Sequence, residues 1–182
     1  MKNVIILFVI IFNIIALNAQ TKKQKQQEER EIDSIFITNV AEYVHCNIYG
    51  AGKENSYFST RRSNIDSIMF YKAGTCVSFH IAFTYFVLSE IKNSPNIKIF
   101  AVDGPIKPEY YYGNSEVHRI TLVEFYGTKY YFDVGWGVYW SKTLPRHMKG
   151  NITMFREDYS SLKYFKMTDA EVKETIKKCN GF

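Results

Sequence analysis

Apolar and polar positions divide the chain into stretches of distinct period. Val4 to Ala16 is an apolar run broken only by Asn13, with Lys2 before it and Leu17-Asn18-Ala19 after it. A positive start, a short apolar run and a small residue at its end are the parts of a secretory signal, and the run falls short of the ~20 residues a bilayer span needs. Cleavage after Ala19 is expected, the alternative being an uncleaved N-terminal anchor. Gln20 to Glu31 is polar and charged without apolar periodicity, which predicts a mobile linker. Asp33 is placed to cap a helix whose apolar positions Phe36, Val40, Tyr43 and Val44 follow a helical period and stop before Gly50, with Ile32 stapled onto Ile37.

Gly52 to Ser63, rich in Lys, Asn, Ser and Arg, reads as a surface loop. Gly74 and Thr75 then punctuate the chain, and Cys76 to Ile91 follows as a helix too apolar all round to lie on a surface. Asn96 to Val102 alternates as a strand ending at Asp103-Gly104-Pro105. A loop from Pro105 to Glu116 carries Tyr110, Tyr111 and Tyr112 and leads to a strand over Val117 to Phe125. The turn Tyr126-Gly127-Thr128 sends Lys129 to Val134 back as its hairpin partner. Thr168 with Glu171 forms a capping box for a last helix running to about Lys178. The pattern predicts an α+β domain over residues 32–182, behind a signal over 1–19 and a linker over 20–31, with a central Cys76 helix packed on an antiparallel sheet.

Composition changes this picture little. Fourteen Tyr, fourteen Phe and two Trp make a 16% aromatic fraction, so a core does not depend on disulfides. The formal charge of +5 is concentrated in Lys2, Lys22, Lys23, Lys25 and the C-terminal region, which gives no support for a nucleic-acid partner. Three cysteines, Cys46, Cys76 and Cys179, leave at least one thiol unpaired in an exported chain. A Cys46–Cys179 disulfide is left open by the sequence.

Cys76 is the thiol with a reason to be free. At a helix N-terminus, unpaired backbone N–H groups and the positive end of the helix dipole favour the thiolate, the nucleophilic form of the side chain. His118 begins one hairpin strand and Asp133 ends the next, so the two lie near each other across an antiparallel pair. The carboxylate can then hold one imidazole nitrogen while the other faces the thiol. His80, one turn after Cys76, packs beneath the site. With no second pair at ligand spacing, no metal is expected. His45 and His147 have no recognisable partners and read as structural or exposed. Trp136, Tyr139 and Trp140 are candidates for the wall of a substrate cleft, with core packing as the commoner role for such a cluster. Asn151-Ile152-Thr153 matches an N-glycosylation acceptor.

Gly74-Thr75-Cys76 opening a helix, then His118-Arg119-Ile120-Thr121-Leu122-Val123-Glu124, then Tyr131-Phe132-Asp133-Val134-Gly135-Trp136-Gly137, resembles the transglutaminase-like core of the papain-like cysteine enzymes. The second half is also similar to the arylamine N-acetyltransferase branch, where a His strand and a hairpin precede Asp-Val-Gly-x-Gly. The resemblance implies Cys76 as acyl-accepting nucleophile, His118 as its base and Asp133 as the orienter of the imidazole, with no cofactor. On the Cys side, Lys72-Ala73-Gly74-Thr75 and Val77-Ser78 depart from the acetyltransferase pattern, which weakens acetyl transfer from a coenzyme. The expectation is an exported enzyme, secreted or periplasmic, that transfers or hydrolyses an acyl group of a peptide, protein or cell-envelope amide. A transglutaminase-like module that binds peptide or glycan without turnover is the competing reading, and acetyl transfer is the third.

Overall fold

The computed structural model describes residues 2–50, 65–91, 94–110, 117–158, 163–166 and 170. The chain divides into two compact units, Met1–Ile37 and Thr38–Phe182. The backbone of α1 is helical over Lys2–Asn47, so the stretch expected to be a linker, Gln20 to Glu31, is helical and Asp33 lies inside the helix rather than at its cap. Its Lys, Gln, Glu and Arg are strong helix formers, and pairs such as Gln24 with Glu28, 3.3 Å apart, support a helix that has no apolar stripe. Ile32 is 67% exposed, so it forms no staple. Among the described residues no helix is long and apolar enough to cross a membrane.

The second unit is an α+β assembly. After α1, β1 (Tyr49–Gly50) pairs in parallel with β2 (Ala73–Gly74), and the short helix α2 (Ile65–Tyr71) precedes β2. Helix α3 covers Cys76–Ile91. Six strands follow: β3 (Ile97–Pro105), β4 (Val117–Phe125), β5 (Thr128–Asp133), β6 (Val138–Ser141), β7 (Thr153–Asp158) and β8 (Lys163–Lys166). They form one antiparallel sheet in the order β6-β5-β4-β3-β7-β8.

The β4–β5 hairpin turns on Tyr126 and Gly127, whose φ angles of 49° and 77° match the twist of a two-residue primed turn. Glycine takes the left-handed region without the steric cost that Tyr126 bears. Strand alternation then sorts the sheet into two faces. Thr121 and Phe132, paired in register, face α3: the His80 ring nitrogen Nδ1 lies 2.6 Å from Thr121 Oγ1, and Phe83 stacks on Phe132 with centroids 5.2 Å apart. Ile120, Leu122 and Tyr131 form a second cluster with Phe100, Val102 and Met154, closed by Met148. Each fully buried large apolar side chain contributes about 1.5–3 kcal/mol. Ser78 to Thr84 of α3 are all buried, which accounts for its apolar character around the whole helix.

The expected loop Gly52 to Ser63, Tyr111 and Tyr112, the last helix up to Lys178 and Cys179 lie outside the described residues, apart from a single helical position at Ala170. Cys46 is a free, exposed thiol.

Candidate functional site

Gly74 lets β2 run directly into α3. A Cβ there would lie inside 3.0 Å of both Cβ and Oγ of Ser78, so any side chain would push the first helical turn away. The Thr75 carbonyl accepts the Ser78 and Phe79 N–H groups at 2.9 and 3.2 Å and starts the helix, while its hydroxyl is buried without a hydrogen-bond partner. Cys76 is thereby held as the first residue of α3, half-buried.

His118 is brought to it by β4. The β3–β4 register sets Arg119 opposite Asp103, and the guanidinium donates to both carboxylate oxygens at 2.6 Å, a fork that pins the strands beside the site. The β4–β5 register runs to Thr121 opposite Phe132, which leaves Asp133 as the next residue of β5 at the end of the hairpin that also carries His118. The His118 Nε2–H donates to Asp133 Oδ2 at 2.7 Å. Its other nitrogen, Nδ1, is the one a thiol could meet, and Cys76 lies close enough to His118 for the imidazole to act on its ionisation. Of the three residues named from the sequence, His118 and Asp133 are therefore hydrogen-bonded, and Cys76 is within electrostatic reach of His118.

Burial pushes the Cys76 thiol up. The hydrogen bond and charge of His118, with the backbone N–H groups of Arg119 and Val77, outweigh burial and leave it below the ordinary thiol range. Burial lowers His118, but hydrogen bonds to Asp133 and Cys76 and the charges of both raise it to about 10. Burial likewise raises Asp133, and hydrogen bonds from His118 and His147 with their charges hold it below the usual carboxylate range. The arrangement favours a thiolate–imidazolium pair backed by a carboxylate.

His147, which the sequence pattern left without a partner, belongs to this group. Its Nε2–H donates to the same Asp133 oxygen at 2.7 Å, and the residue is 2% exposed. The segment that carries it is laid against the end of β3: Lys107 N–H donates to the His147 carbonyl at 2.9 Å, Lys149 N–H to the Pro105 carbonyl at 2.8 Å, and Ile106 bridges Met148. Gly104, opposite His118 in the register, permits that approach, since a Cβ there would come 2.9 Å from Met148 Cε and 3.0 Å from Ile152 Cγ2. No local pattern around His147 announces this, because its partner is fixed only when the two segments meet.

His118, Asp133 and His147 each offer a metal-ligand atom, all within 4.8 Å of one another. Both nitrogens lie 2.7 Å from one carboxylate oxygen, which is hydrogen-bond spacing, whereas ligands of a tetrahedral ion with ~2.0–2.1 Å bonds stand about 3.3 Å apart. As built, the three share protons rather than outline a metal site.

The three candidate aromatic residues separate. Trp136, 36% exposed, stacks on His147 with centroids 4.3 Å apart and planes at 21°, and lies 6.5 Å from the His118 ring and 5.7 Å from Tyr110. Tyr139 packs on His45 and Phe132. Trp140 packs on Phe125, Tyr130 and Phe132 and donates to Thr38 Oγ1 at 2.8 Å. Gly137, at φ 66°, ends the short 3-10 turn Val134–Trp136 and turns the chain back along β5, so these two rings go to the packing of the sheet and only Trp136 lines the site. His45, read as structural or exposed, receives a role in that turn: its Nδ1–H donates to the Val134 carbonyl at 2.8 Å.

Comparison of the chain with known protein families, with curated proteins and with solved structures finds no match in any of the three.

Proposed function

We propose that the chain is an exported thiol enzyme on a transglutaminase-like, papain-like core, secreted or periplasmic, that transfers or hydrolyses an acyl group of a peptide, protein or cell-envelope amide. One observation carries this reading: His118 hydrogen-bonded to the buried Asp133 carboxylate, and beside it, on the first residue of a helix, the Cys76 thiol whose ionisation His118 favours. The proton of Cys76 Sγ resides on His118 Nδ1. The thiolate attacks the substrate carbonyl carbon, and the carbonyl oxygen takes the electron pair. The Cys76 and Val77 N–H groups, which precede those that bond the Thr75 carbonyl, are the donors proposed to stabilise that oxyanion. Collapse of the intermediate breaks the C–N bond, and His118 returns its proton to the leaving amine. Water or an amine then attacks the thioester, gives its proton to His118, and releases the thiolate. Asp133 holds the imidazole by its Nε2–H and stabilises its cation without entering the covalent steps. Trp136 is the ring placed to contact substrate.

The test needs no substrate. An ordinary thiol of pKa ~8.5 has roughly one thiolate in 3,000 molecules at pH 5. Iodoacetamide at that pH, followed by peptide mass mapping, should label Cys76 far faster than Cys46 or Cys179, and His118→Ala should abolish the difference. Equal rates for the three cysteines would remove the basis of the proposal. Incubation of the intact protein with a peptide library then identifies substrates by the mass of the acyl adduct on Cys76.

A further inference from the structure

Local sequence pattern assigns His147 no task, and the thiol chemistry proposed above does not use it. We infer that His147 is a positioning residue of that chemistry: a second imidazole, clamped against Trp136, that holds the orientation and the charge of Asp133. This rests on the proposed function, and it adds a fourth side chain to the site.

Both imidazoles converge on one oxygen, Asp133 Oδ2, at 2.7 Å each. Asp133 is 2% exposed, and a carboxylate that has lost its water at that depth needs more than one donor to stay ionised. His118 alone is a poor guarantor of that charge, because its own proton inventory changes during the proposed reaction. His147 supplies a donor that takes no part in it. With Nε2–H donating to an acceptor-only group, the tautomer of His147 is set by the bond it makes.

The clamp on His147 is built from both sides. The backbone of Pro105 to Lys107 holds the segment from His147 to Lys149 through two hydrogen bonds, one of them to the His147 carbonyl, and the Trp136 ring lies nearly parallel to the imidazole. Tyr110, from the 3-10 turn Pro108–Tyr110, meets the same imidazole edge-on at 6.1 Å. The titratable groups that face the pair are His118 on β4 and Tyr110, and Cys76 at the start of α3 acts on His118 in turn. A histidine that only filled space would need neither the shared oxygen nor the matched tautomer.

The sign of the effect follows. Without the His147 donor, Asp133 protonates at higher pH. A neutral Asp133 no longer supports the His118 cation, and the thiol then ionises later. The acid limb of Cys76 alkylation therefore moves upward in His147→Phe, which keeps a ring against Trp136 but has no donor. The expected shift is about one pH unit, or roughly tenfold slower alkylation at a fixed pH below the midpoint. His147→Gln, whose amide can place an N–H near the same point, should return the limb toward wild type. A purely structural role would lower the melting temperature in both variants and leave the limb in place. An unshifted limb in a folded His147→Phe protein overturns the inference.

Nitrogen NMR of histidine-labelled wild type decides the matter if a variant fails to fold. An Nε2-protonated, hydrogen-bonded His147 is the expected result, and an Nδ1–H tautomer overturns it. A wild-type Cys76 with the pH profile of an ordinary thiol would sink the thiol-enzyme proposal instead, and the tautomer would still report whether His147 holds Asp133.

Discussion

Replacing Gly74 by alanine tests the link between the strand that delivers Cys76 and the chemistry assigned to it. The new Cβ would fall inside 3.0 Å of Ser78 Cβ and Oγ, and Ser78 is fully buried, so its side chain has no open space to turn into. Restoring ordinary contact requires β2 and the first turn of α3 to separate by on the order of 1 Å, the scale at which misplacement costs about 10²-fold in rate. Overpacking of this kind costs about 1–3 kcal/mol. In a domain of this size that lowers Tm by roughly 2–12 °C. The assays are a thermal melt and the rate of Cys76 alkylation at pH 5, with acyl transfer added once a substrate is known. The alkylation rate should fall because the thiol leaves the Arg119 N–H group and the His118 side chain on β4 together. Ser78→Gly removes both atoms that the new methyl meets. The Gly74→Ala/Ser78→Gly double variant should therefore recover rate and stability relative to the sum of the single variants. A Gly74→Ala protein with wild-type Tm and wild-type alkylation would refute both the close approach at Gly74 and its role in placing the thiol.

Asp133→Asn, nearly isosteric, should keep the fold and reduce turnover by orders of magnitude, about 10⁴ if the loss matches that of the equivalent change in a serine-protease triad, with little change in substrate binding; near-normal turnover in a folded variant counts against the assigned role. Stability should depend on pH through the same groups. His118 is raised to about 10, so taken alone its contribution is complete below ~6.5 and lost as pH rises through about 10. Cys76, lowered, contributes fully above about 9 and progressively less below it. Just below about 9 the unfolded thiol and the folded imidazolium each keep the pair's proton, so the Tm difference between wild type and Cys76→Ser/His118→Gln should be level there and fall above about 9. Asp133, lowered, adds stability that is present above ~3.9 and lost as pH falls through its folded value. A difference that declines steadily from pH 7 to 9 is incompatible with the pair. Phe83→Ala, which empties a fully buried site stacked on Phe132, should cost about 3–5 kcal/mol in urea unfolding, and a loss below ~1 kcal/mol would show that α3 does not pack on the sheet there.

Local rules reach a good distance along this chain. The apolar run after Gly74-Thr75 placed the start of α3 at Cys76, and the turn at Tyr126-Gly127 set the hairpin. A hairpin register is a local matter, so counting outward from the turn was enough to bring His118 and Asp133 to neighbouring positions. Periodicity was a poorer guide at Gln20 to Glu31, where intrinsic propensity and pairs four residues apart sustain a helix without an apolar face. The sequence left Trp136, Tyr139 and Trp140 equivalent. The left-handed Gly137 and the return of β6 along β5 separated them, sending only Trp136 to the site. His147 was beyond local reach altogether. Its approach to Asp133 depends on backbone pairing with the far end of β3 and on the absence of a side chain at Gly104, contacts between segments some forty residues apart in the chain. Residue types and short spacings therefore determined which side chains could do chemistry, whereas the packing of distant segments decided which of them share a carboxylate.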